Sequence, residues 1–263
     1  YELPIEGGAM EGINQENLIL GPTVFEKSEI EQRMADGEFN SIAKFELFIW
    51  DLEMFLQLQK RLGDKIILKG GAATQFYIPV ATQRTSIDID MICLATREEV
   101  LDAIAGIEEE LQGGEEYCKF RPYKPKHPKL ELGELETYFV TVPTICNAAD
   151  LHGQNGKQEV KIEFLFSAQE YQWQKVKPGG LFALETDKAF NLLTSEMLFA
   201  DKLTTLGPNT IGVPAEKADE QFKQIYDVIT LFSTNMDQII DNKEVVLAND
   251  KNAAEFECQV HGI

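Results

Sequence analysis

The sequence predicts an α/β protein with an α+β layout, in which a small mixed sheet with flanking helices is followed by a C-terminal helical bundle. Three observations predict it. Short apolar runs with two-residue alternation recur through the first part of the chain, as in strands. Apolar residues with helical spacing separate these runs and then fill the last third. The composition, with 44% apolar residues among 263, suits a globular protein with a sizeable core.

The order of these patterns divides the chain into three regions. Residues 1–23 look irregular, residues 24–180 hold the predicted sheet, and residues 181–263 are predicted to be helical. The boundary falls at the turn-forming Pro178-Gly179-Gly180. Met10 is a candidate natural start, which makes residues 1–9 a candidate non-native extension.

Periodicity places the individual elements along the chain. Helices are predicted at residues 24–36, 41–62, 72–78 and 96–111, and strands at residues 64–68, 86–94, 135–142 and 158–166. Further helices are predicted at residues 194–206, 215–233 and 235–247. Thr96 begins its helix with Glu99 three residues later, which is the pattern of a capping box.

Charge and cysteine content exclude several classes of protein. The net charge of −20 is unlike the basic surface of a sequence-blind nucleic-acid binder. No run of about 18 apolar residues predicts a membrane span and no signal peptide is visible, so a cytoplasmic protein is expected. The cysteines have neither CxxC nor zinc-ligand spacing, which favours buried free thiols. They are Cys93, Cys118, Cys146 and Cys258.

The first pattern with chemical content is the run Ser86–Met91, which contains Asp-x-Asp. On a strand its two isoleucines and its methionine face the core, whereas Asp88 and Asp90 share the other face with Ser86. Two neighbouring carboxylates repel each other without a cation, and their oxygens suit Mg²⁺ or Mn²⁺. A solvated acidic strand face is the alternative.

A second pattern is Gly70-Gly71, which follows one predicted strand and precedes a helix. Such a turn brings backbone N–H groups close to a phosphate, although a tight turn alone would also explain it. Residues 72–87 separate this turn from the Asp-x-Asp strand. Together the two patterns predict a phosphate cradle beside a metal site.

Both patterns resemble the AbiEii/MenT branch of the DNA polymerase beta-like nucleotidyltransferase superfamily, the toxin half of abortive-infection toxin–antitoxin pairs. Leu68–Ala73 matches its Lys-Gly-Gly motif, and Arg84–Asp90 matches its Arg-x-Ser/Thr-x-Asp-x-Asp motif. Asp201-Lys202-Leu203 and Tyr226-Asp227-Val228 resemble two later motifs, so the resemblance spans roughly residues 45–232. The last motif departs from the family pattern, because the usual upstream Arg and Lys-Asp pair are missing.

The resemblance implies a nucleotidyltransferase-type sheet and a set of site residues. Metal ligands would be Asp88, Asp90 and Glu163. Nucleotide-binding residues would be Lys69, Gly70, Gly71, Arg84, Ser86 and Lys202. Catalytic residues would be Asp88, Asp90, Lys202 and Asp227.

Three of these residues also have plain structural interpretations. Glu163 lies on the polar face of an alternating strand, which would be solvated in any acidic protein. Lys202 lies on an apolar helical stripe, where a lysine can extend its ammonium to water. Asp227 follows Lys223 by four residues, so a surface ion pair would explain it.

The segment Lys119–Lys129 is a basic stretch in this acidic chain. Its cations are Lys119, Arg121, Lys124, Lys126 and Lys129. Three prolines predict an extended loop, in which Phe120 and Tyr123 add stacking surfaces. Such a segment is typical of sites for a single-stranded nucleic-acid end, whereas a solvated loop is the alternative.

The expected activity is metal-dependent transfer of a nucleotidyl group from an NTP to an acceptor hydroxyl. One Mg²⁺ or Mn²⁺ would activate the hydroxyl and a second would hold the triphosphate. By resemblance, the acceptor is a tRNA 3′ end and the partner is a cognate antitoxin. The alternatives are a small-molecule nucleotidyltransferase of antibiotic-modifying type and a non-catalytic scaffold that binds nucleotides or a partner.

Overall fold

A computed structural model describes residues 12–112, 117–124, 134–146, 157–207, 213 and 217–261. The strands are β1 (Ile66–Lys69), β2 (Asp88–Cys93), β3 (Phe120–Tyr123), β4 (Glu134–Val142), β5 (Gln158–Phe166), β6 (Trp173–Val176) and β7 (Phe190–Leu193). The α-helices are α1 (Lys27–Asp36), α2 (Ile42–Leu62), α3 (Gly70–Thr74), α4 (Arg97–Leu111), α5 (Ser195–Thr204), α6 (Ala218–Asp241) and α7 (Lys243–His261).

The seven strands form one mixed sheet in the order β3-β4-β5-β2-β1-β7-β6. Strand β2 pairs in parallel with β5 and antiparallel with β1, while β1 pairs in parallel with β7. The predicted mixed α/β architecture is therefore confirmed. Strand β7 follows residue 180 and still belongs to this sheet; the division of the chain at residues 23 and 180 stays a prediction.

Helix α2 is the centre of the core. Phe45, Phe48, Trp50 and Phe55 have no exposed surface. A helix with large apolar residues on several sides must be covered on those sides, and α1, α4 and the sheet all pack against α2. This packing anchors the central strands of the sheet against α2.

Most predicted elements are confirmed within a few residues, including α2, α4, β4 and β5. The predicted capping box is present, since the Thr96 side chain accepts a hydrogen bond from the Glu99 backbone N–H and Glu99 bonds back. The helices predicted at 215–233 and 235–247 differ from the structure. Helix α6 continues past residue 234 to Asp241, and its backbone is non-helical at Asn235. The side-chain amide of Asn235 donates to the carbonyl oxygens of Leu231 and Tyr77.

Three strands were not predicted. Strands β3, β6 and β7 have four residues each, too few to show a period. Strand β7 is also buried throughout, so its residues do not alternate between polar and apolar. The prediction that Ile87 faces the core is wrong, because β2 begins only at Asp88 and Ile87 is 40% exposed.

All four cysteines are free, as predicted; Cys93 and Cys118 are buried, whereas Cys258 is exposed. Within the described ranges, no helix has the length and hydropathy to span a membrane.

Candidate active site

Strands β2 and β5 bring three predicted metal ligands to one face of the sheet. Asp90 lies opposite Glu163 in the parallel register, and Asp88 lies opposite Lys161. Paired residues on neighbouring strands point to the same side, so the Asp88, Asp90 and Glu163 side chains share one surface. Thr137 of β4 donates a hydrogen bond to Oε1 of Glu163 over 3.3 Å and helps to orient it.

The two glycines lie against this acidic surface. Gly70 has a φ of +69°, and a Cβ there would overlap the carboxylate of Asp90. At Gly71 a Cβ would lie 2.7 Å from Oγ of Ser86 and 3.1 Å from Nη2 of Arg84. Both positions need glycine because the backbone passes so close to the strand that carries the carboxylates.

The carboxylates of this surface are held in an unfavourable electrostatic environment. Burial raises the pKa of Asp90, and the neighbouring charge of Glu163 raises it further. Burial also raises the pKa of Asp88. The charge of Lys161 opposes this increase, and the charge of Asp90 adds to it. A cation at this surface would relieve both effects.

Lys161 provides a cation from within the chain. Its Nζ lies 3.0 Å from Oε1 of Glu163 and 3.8 Å from Oδ2 of Asp88. Burial disfavours the charged amine, but Asp88 and Glu163 outweigh it and raise the pKa of Lys161. The sequence placed Lys161 on this strand face and assigned it no role.

A second ionic cluster joins α5, α6 and the segment before β2. Nζ of Lys202 lies 2.9 Å from Oδ2 of Asp227 and donates to Oε1 of Gln224 over 2.8 Å. Arg84 donates two hydrogen bonds to the same Asp227 carboxylate, over 2.9 and 2.6 Å. Lys202 is 3% exposed, so the interpretation in which its ammonium reaches water is wrong.

The surface-pair interpretation of Asp227 is also wrong. Asp227 is completely buried, and Lys223 pairs instead with Glu220 over 2.7 Å. Burial opposes the ionisation of Asp227, but Lys202 and Arg84 outweigh it and lower its pKa. The carboxylate is therefore ionised and links two cations that the sequence had assigned to nucleotide binding.

Two clefts open beside Asp90. Cleft A is lined by Lys44, Gly71, Arg84, Ser86, Lys202 and Lys223. Cleft B is lined by Lys69, Leu135, Glu163, Asp201, Thr204 and Thr205. Asp90, Lys202 and Gln224 line both clefts, so the two spaces meet at the carboxylate surface.

Two of the predicted nucleotide-binding residues, Lys69 and Gly70, line cleft B. Lys69 is paired with Asp90 in the β1–β2 register, and its Nζ donates to Oδ1 of Asp201 over 2.8 Å. Gly71, Arg84 and Ser86 line cleft A, and Lys202 lines both clefts.

The residues present fit a hard divalent cation. Asp88 and Asp90 offer carboxylate oxygens on one strand face, and such oxygens are the preferred ligands of Mg²⁺. In the described part of the chain, no three His, Cys, Asp or Glu side chains converge closely enough to form a metal cluster. Glu163 faces Lys161 as well as Asp90, and its role as a third metal ligand stays a prediction.

Sequence reasoning missed Lys44 and Asp51. Lys44 is exposed near the start of α2, and a charged residue between the apolar Ala43 and Phe45 was the available signal. Asp51 is buried on α2, and neither of its carboxylate oxygens has a hydrogen-bond partner. Burial raises its pKa strongly, and the charges of Asp88 and Asp90 add to the shift. No sequence pattern marked it.

The basic segment differs from its prediction. Residues 120–123 form strand β3 at the edge of the sheet, so this part is not a loop. Arg121 is paired with Glu159, with Nη2 and Oε1 2.9 Å apart, and stacks 5.3 Å above the ring of Phe139. Lys126 and Lys129 lie outside the described residues.

The solved structures to which this chain is similar include two nucleotidyltransferase-related proteins. An antigenic nucleotidyltransferase-like protein from Paracoccidioides brasiliensis is 12% identical, with 73% of this chain and 76% of that chain covered and a TM-score of 0.41. The Megavirus polyadenylate synthase is 10% identical, with 84% and 35% covered and a TM-score of 0.37. A search of curated proteins found no match.

The family of the chain follows from a family model. The model described as "Nucleotidyl transferase AbiEii toxin, Type IV TA system" matches residues 55–257, which include β1, β2, β5 and the helices that carry Lys202 and Asp227. Because this match covers well over half of the chain, the protein belongs to the AbiEii toxin family of nucleotidyl transferases and is a nucleotidyltransferase.

Proposed function

We propose that the protein moves a nucleotidyl group from an NTP to the 3′ end of a tRNA, using Asp88 and Asp90 as Mg²⁺ ligands. The observation that carries this proposal is the contact between the Gly70-Gly71 turn and the Asp88–Asp90 strand. Gly70 lies against Asp90 and Gly71 lies against Ser86. A phosphate held at the turn would therefore lie next to the acidic surface.

Cleft A suits the triphosphate. Lys44, Arg84, Lys202 and Lys223 line it, which is a concentration of cations in a protein of net charge −20. Cations around a triphosphate offset the charge that develops on the leaving pyrophosphate. Cleft B has as many carboxylates as cleft A but fewer cations, and so suits the acceptor hydroxyl better than a phosphate chain.

The sheet register supports a nucleic-acid acceptor. Arg121, Phe139, Lys161 and Asp88 form one row across four strands. Tyr123, Thr137, Glu163, Asp90 and Lys69 form the next row on the same face. Arg121 and Tyr123 of the edge strand thus lie in the same rows as the carboxylates. A cation beside an aromatic ring is typical of sites that stack single-stranded bases.

The reaction itself is a displacement at the α-phosphorus of the NTP. The acceptor oxygen forms a bond to this phosphorus, the bond to the bridging oxygen breaks, and pyrophosphate leaves with the electron pair. The hydroxyl proton passes to the carboxylate of Glu163 and then to water. A divalent cation, when bound, lowers the pKa of the hydroxyl and offsets charge on the phosphates.

The cellular role that we propose is that of a toxin restrained by a cognate antitoxin, acting on cytoplasmic tRNA. The family to which the chain belongs supports this role. Modification of a tRNA 3′ end would block aminoacylation and arrest growth.

The test is transfer of a labelled nucleotide. The protein is incubated with each labelled NTP and Mg²⁺, together with total tRNA or with a panel of aminoglycosides. We expect label in tRNA alone, lost in Asp88→Ala and retained in Asp64→Ala, whose carboxylate is 59% exposed near β1. Label in aminoglycosides alone would replace the tRNA assignment by the small-molecule alternative. Equal transfer by Asp88→Ala would contradict the metal assignment.

A further inference from the structure

Lys161 brings an ammonium group to the acidic surface formed by β2 and β5. Its ammonium lies 3.0 Å from Glu163 and 3.8 Å from Asp88, between two of the three carboxylates that the sequence predicted as metal ligands. Its side chain is 29% exposed and that of Glu163 is 19% exposed, so the pair is partly shielded from water. An ion pair shielded in this way is stronger than one on the open surface.

Strand register fixes this arrangement. Lys161 is the direct partner of Asp88 on the neighbouring strand, and it lies two residues before Glu163 on its own strand. All three side chains must therefore point to the same face as Asp90. The ammonium reaches this acidic surface through strand pairing and not through the chance rotation of a surface lysine.

The described donors account for one ion more easily than for two. Two ions would need carboxylates around each of them. The described residues contain no cluster of three His, Cys, Asp or Glu side chains that could hold a metal. Asp88 and Asp90 remain as a carboxylate pair on one strand, while Glu163 is bonded to Lys161 and Thr137. The Lys161 ammonium lies closer to Glu163 than to Asp88, so it competes with a second divalent cation for the Glu163 oxygens.

We propose that Lys161 replaces the second cation of the site, so that the enzyme binds a single divalent ion at Asp88 and Asp90. This inference rests on the proposed function. As the acceptor oxygen bonds to the α-phosphorus, its proton goes to Glu163 and pyrophosphate leaves with the electron pair. The Lys161 ammonium then neutralises the charge that develops on the acceptor oxygen, which a second metal would otherwise do.

The test counts bound Mn²⁺. Isothermal titration calorimetry and Mn²⁺ electron paramagnetic resonance are performed with a non-hydrolysable NTP analogue on wild type, Lys161→Ala, Lys161→Met and Lys161→Arg. We expect one ion per chain in the wild type and in Lys161→Arg, and two ions in Lys161→Ala and Lys161→Met. The matched control is Lys175→Ala, which removes a 58% exposed lysine of edge strand β6 and should leave the count at one.

Activity gives an independent readout. Transfer should depend on the first power of Mg²⁺ concentration in the wild type and on a higher power in Lys161→Ala, with a maximal rate at least tenfold lower. Melting curves verify that each variant folds. If either Lys161→Ala or Lys161→Met does not fold, the other still tests the ion count.

The outcomes separate the two proposals. Two ions in the wild type, or one ion in both neutral variants, would overturn the assignment of Lys161 and leave the metal ligands in place. No bound ion in the wild type, with Asp88→Ala unchanged, would overturn the metal ligands and the assignment of Lys161 together.

Discussion

Lys202 and Asp227 form a buried ion pair, with Nζ and Oδ2 2.9 Å apart. The Lys202 side chain is 4% exposed and that of Asp227 is 0% exposed, and Arg84 binds the same carboxylate from the side of β2. One carboxylate thus ties α5 and α6 to the segment that leads to the catalytic strand. Removal of the Asp227 carboxylate should therefore affect the stability of the fold as well as nucleotidyl transfer.

Asp227→Asn should lower the free energy of unfolding by about 3–5 kcal/mol, because it leaves Lys202 buried without its counter-charge. Urea denaturation measures this change. The control is Glu220→Gln, which removes an exposed pair with Lys223 on the same helix and should cost less than about 1 kcal/mol. Equal losses in the two variants would mean that the buried pair contributes no more than a surface pair.

The Asp227 carboxylate should also give the protein an acid-sensitive component of stability. Lys202 and Arg84 lower its pKa against the opposing effect of burial, so the folded protein binds fewer protons than the unfolded chain. Its contribution is then complete above the unfolded pKa of about 3.9 and is lost as the pH falls through the lower folded pKa. Urea unfolding between pH 7 and pH 3 should show the gap between wild type and Asp227→Asn narrowing below about pH 4. A gap that widens on acidification would contradict this sign.

Asp90→Asn should stabilise the metal-free protein while abolishing transfer. Burial and Glu163 raise the pKa of Asp90, so ionisation above the unfolded pKa destabilises the fold. In EDTA at pH 7 we expect the melting temperature to rise by about 2–4 °C, the shift that corresponds to ~1 kcal/mol in a domain of this size. Asp64→Asn, at an exposed carboxylate, should show no rise.

Addition of ligand should reverse the order of the melting temperatures of the wild type and Asp90→Asn. Mg²⁺ with an NTP stabilises whichever protein binds it, so the wild type should gain in melting temperature and Asp90→Asn should not. A similar gain in both would exclude Asp90 as a ligand.

Gly70→Ala should abolish transfer. It should also lower the free energy of unfolding by more than backbone strain alone would. A positive φ costs an L-residue about 1–2 kcal/mol, and the added Cβ would also displace the Asp90 carboxylate. Gly21→Ala is the matched control, because its φ is +81° with no atom within 4 Å of the added Cβ. The difference between the two unfolding free energies measures the contact with Asp90, and no difference would mean that the turn does not press on the carboxylate.

Tyr123→Ser should weaken tRNA binding by about tenfold, as expected for the loss of one stacked base, and leave NTP binding unchanged. Tyr123 is 44% exposed and lies in the sheet row that contains Glu163 and Asp90. Filter binding at several salt concentrations measures the effect. Phe222→Ser, at a 68% exposed ring on α6, is the control and should bind tRNA normally. Equal losses would indicate nonspecific contact with exposed rings.

The sequence by itself determined the family and the elements that carry the catalytic pattern. Lys-Gly-Gly and Asp-x-Asp are local motifs, and strand alternation puts Asp88 and Asp90 on one face wherever the strand lies. The long helix at 41–62 and the strand at 158–166 were equally clear, because each contains enough residues to show its period.

Tertiary structure alone decided which charges meet. The short strands β3, β6 and β7 take their conformation from their neighbours in the sheet, so four residues gave no signal. Asp227 had a local partner in Lys223, but packing buried it against Lys202 and Arg84, where desolvation makes a pair stronger. Lys161 became a neighbour of Asp88 only through the parallel register of β2 and β5, which joins residues far apart in the sequence. Pairing across a sheet depends on the whole fold, and a single sequence does not encode it locally.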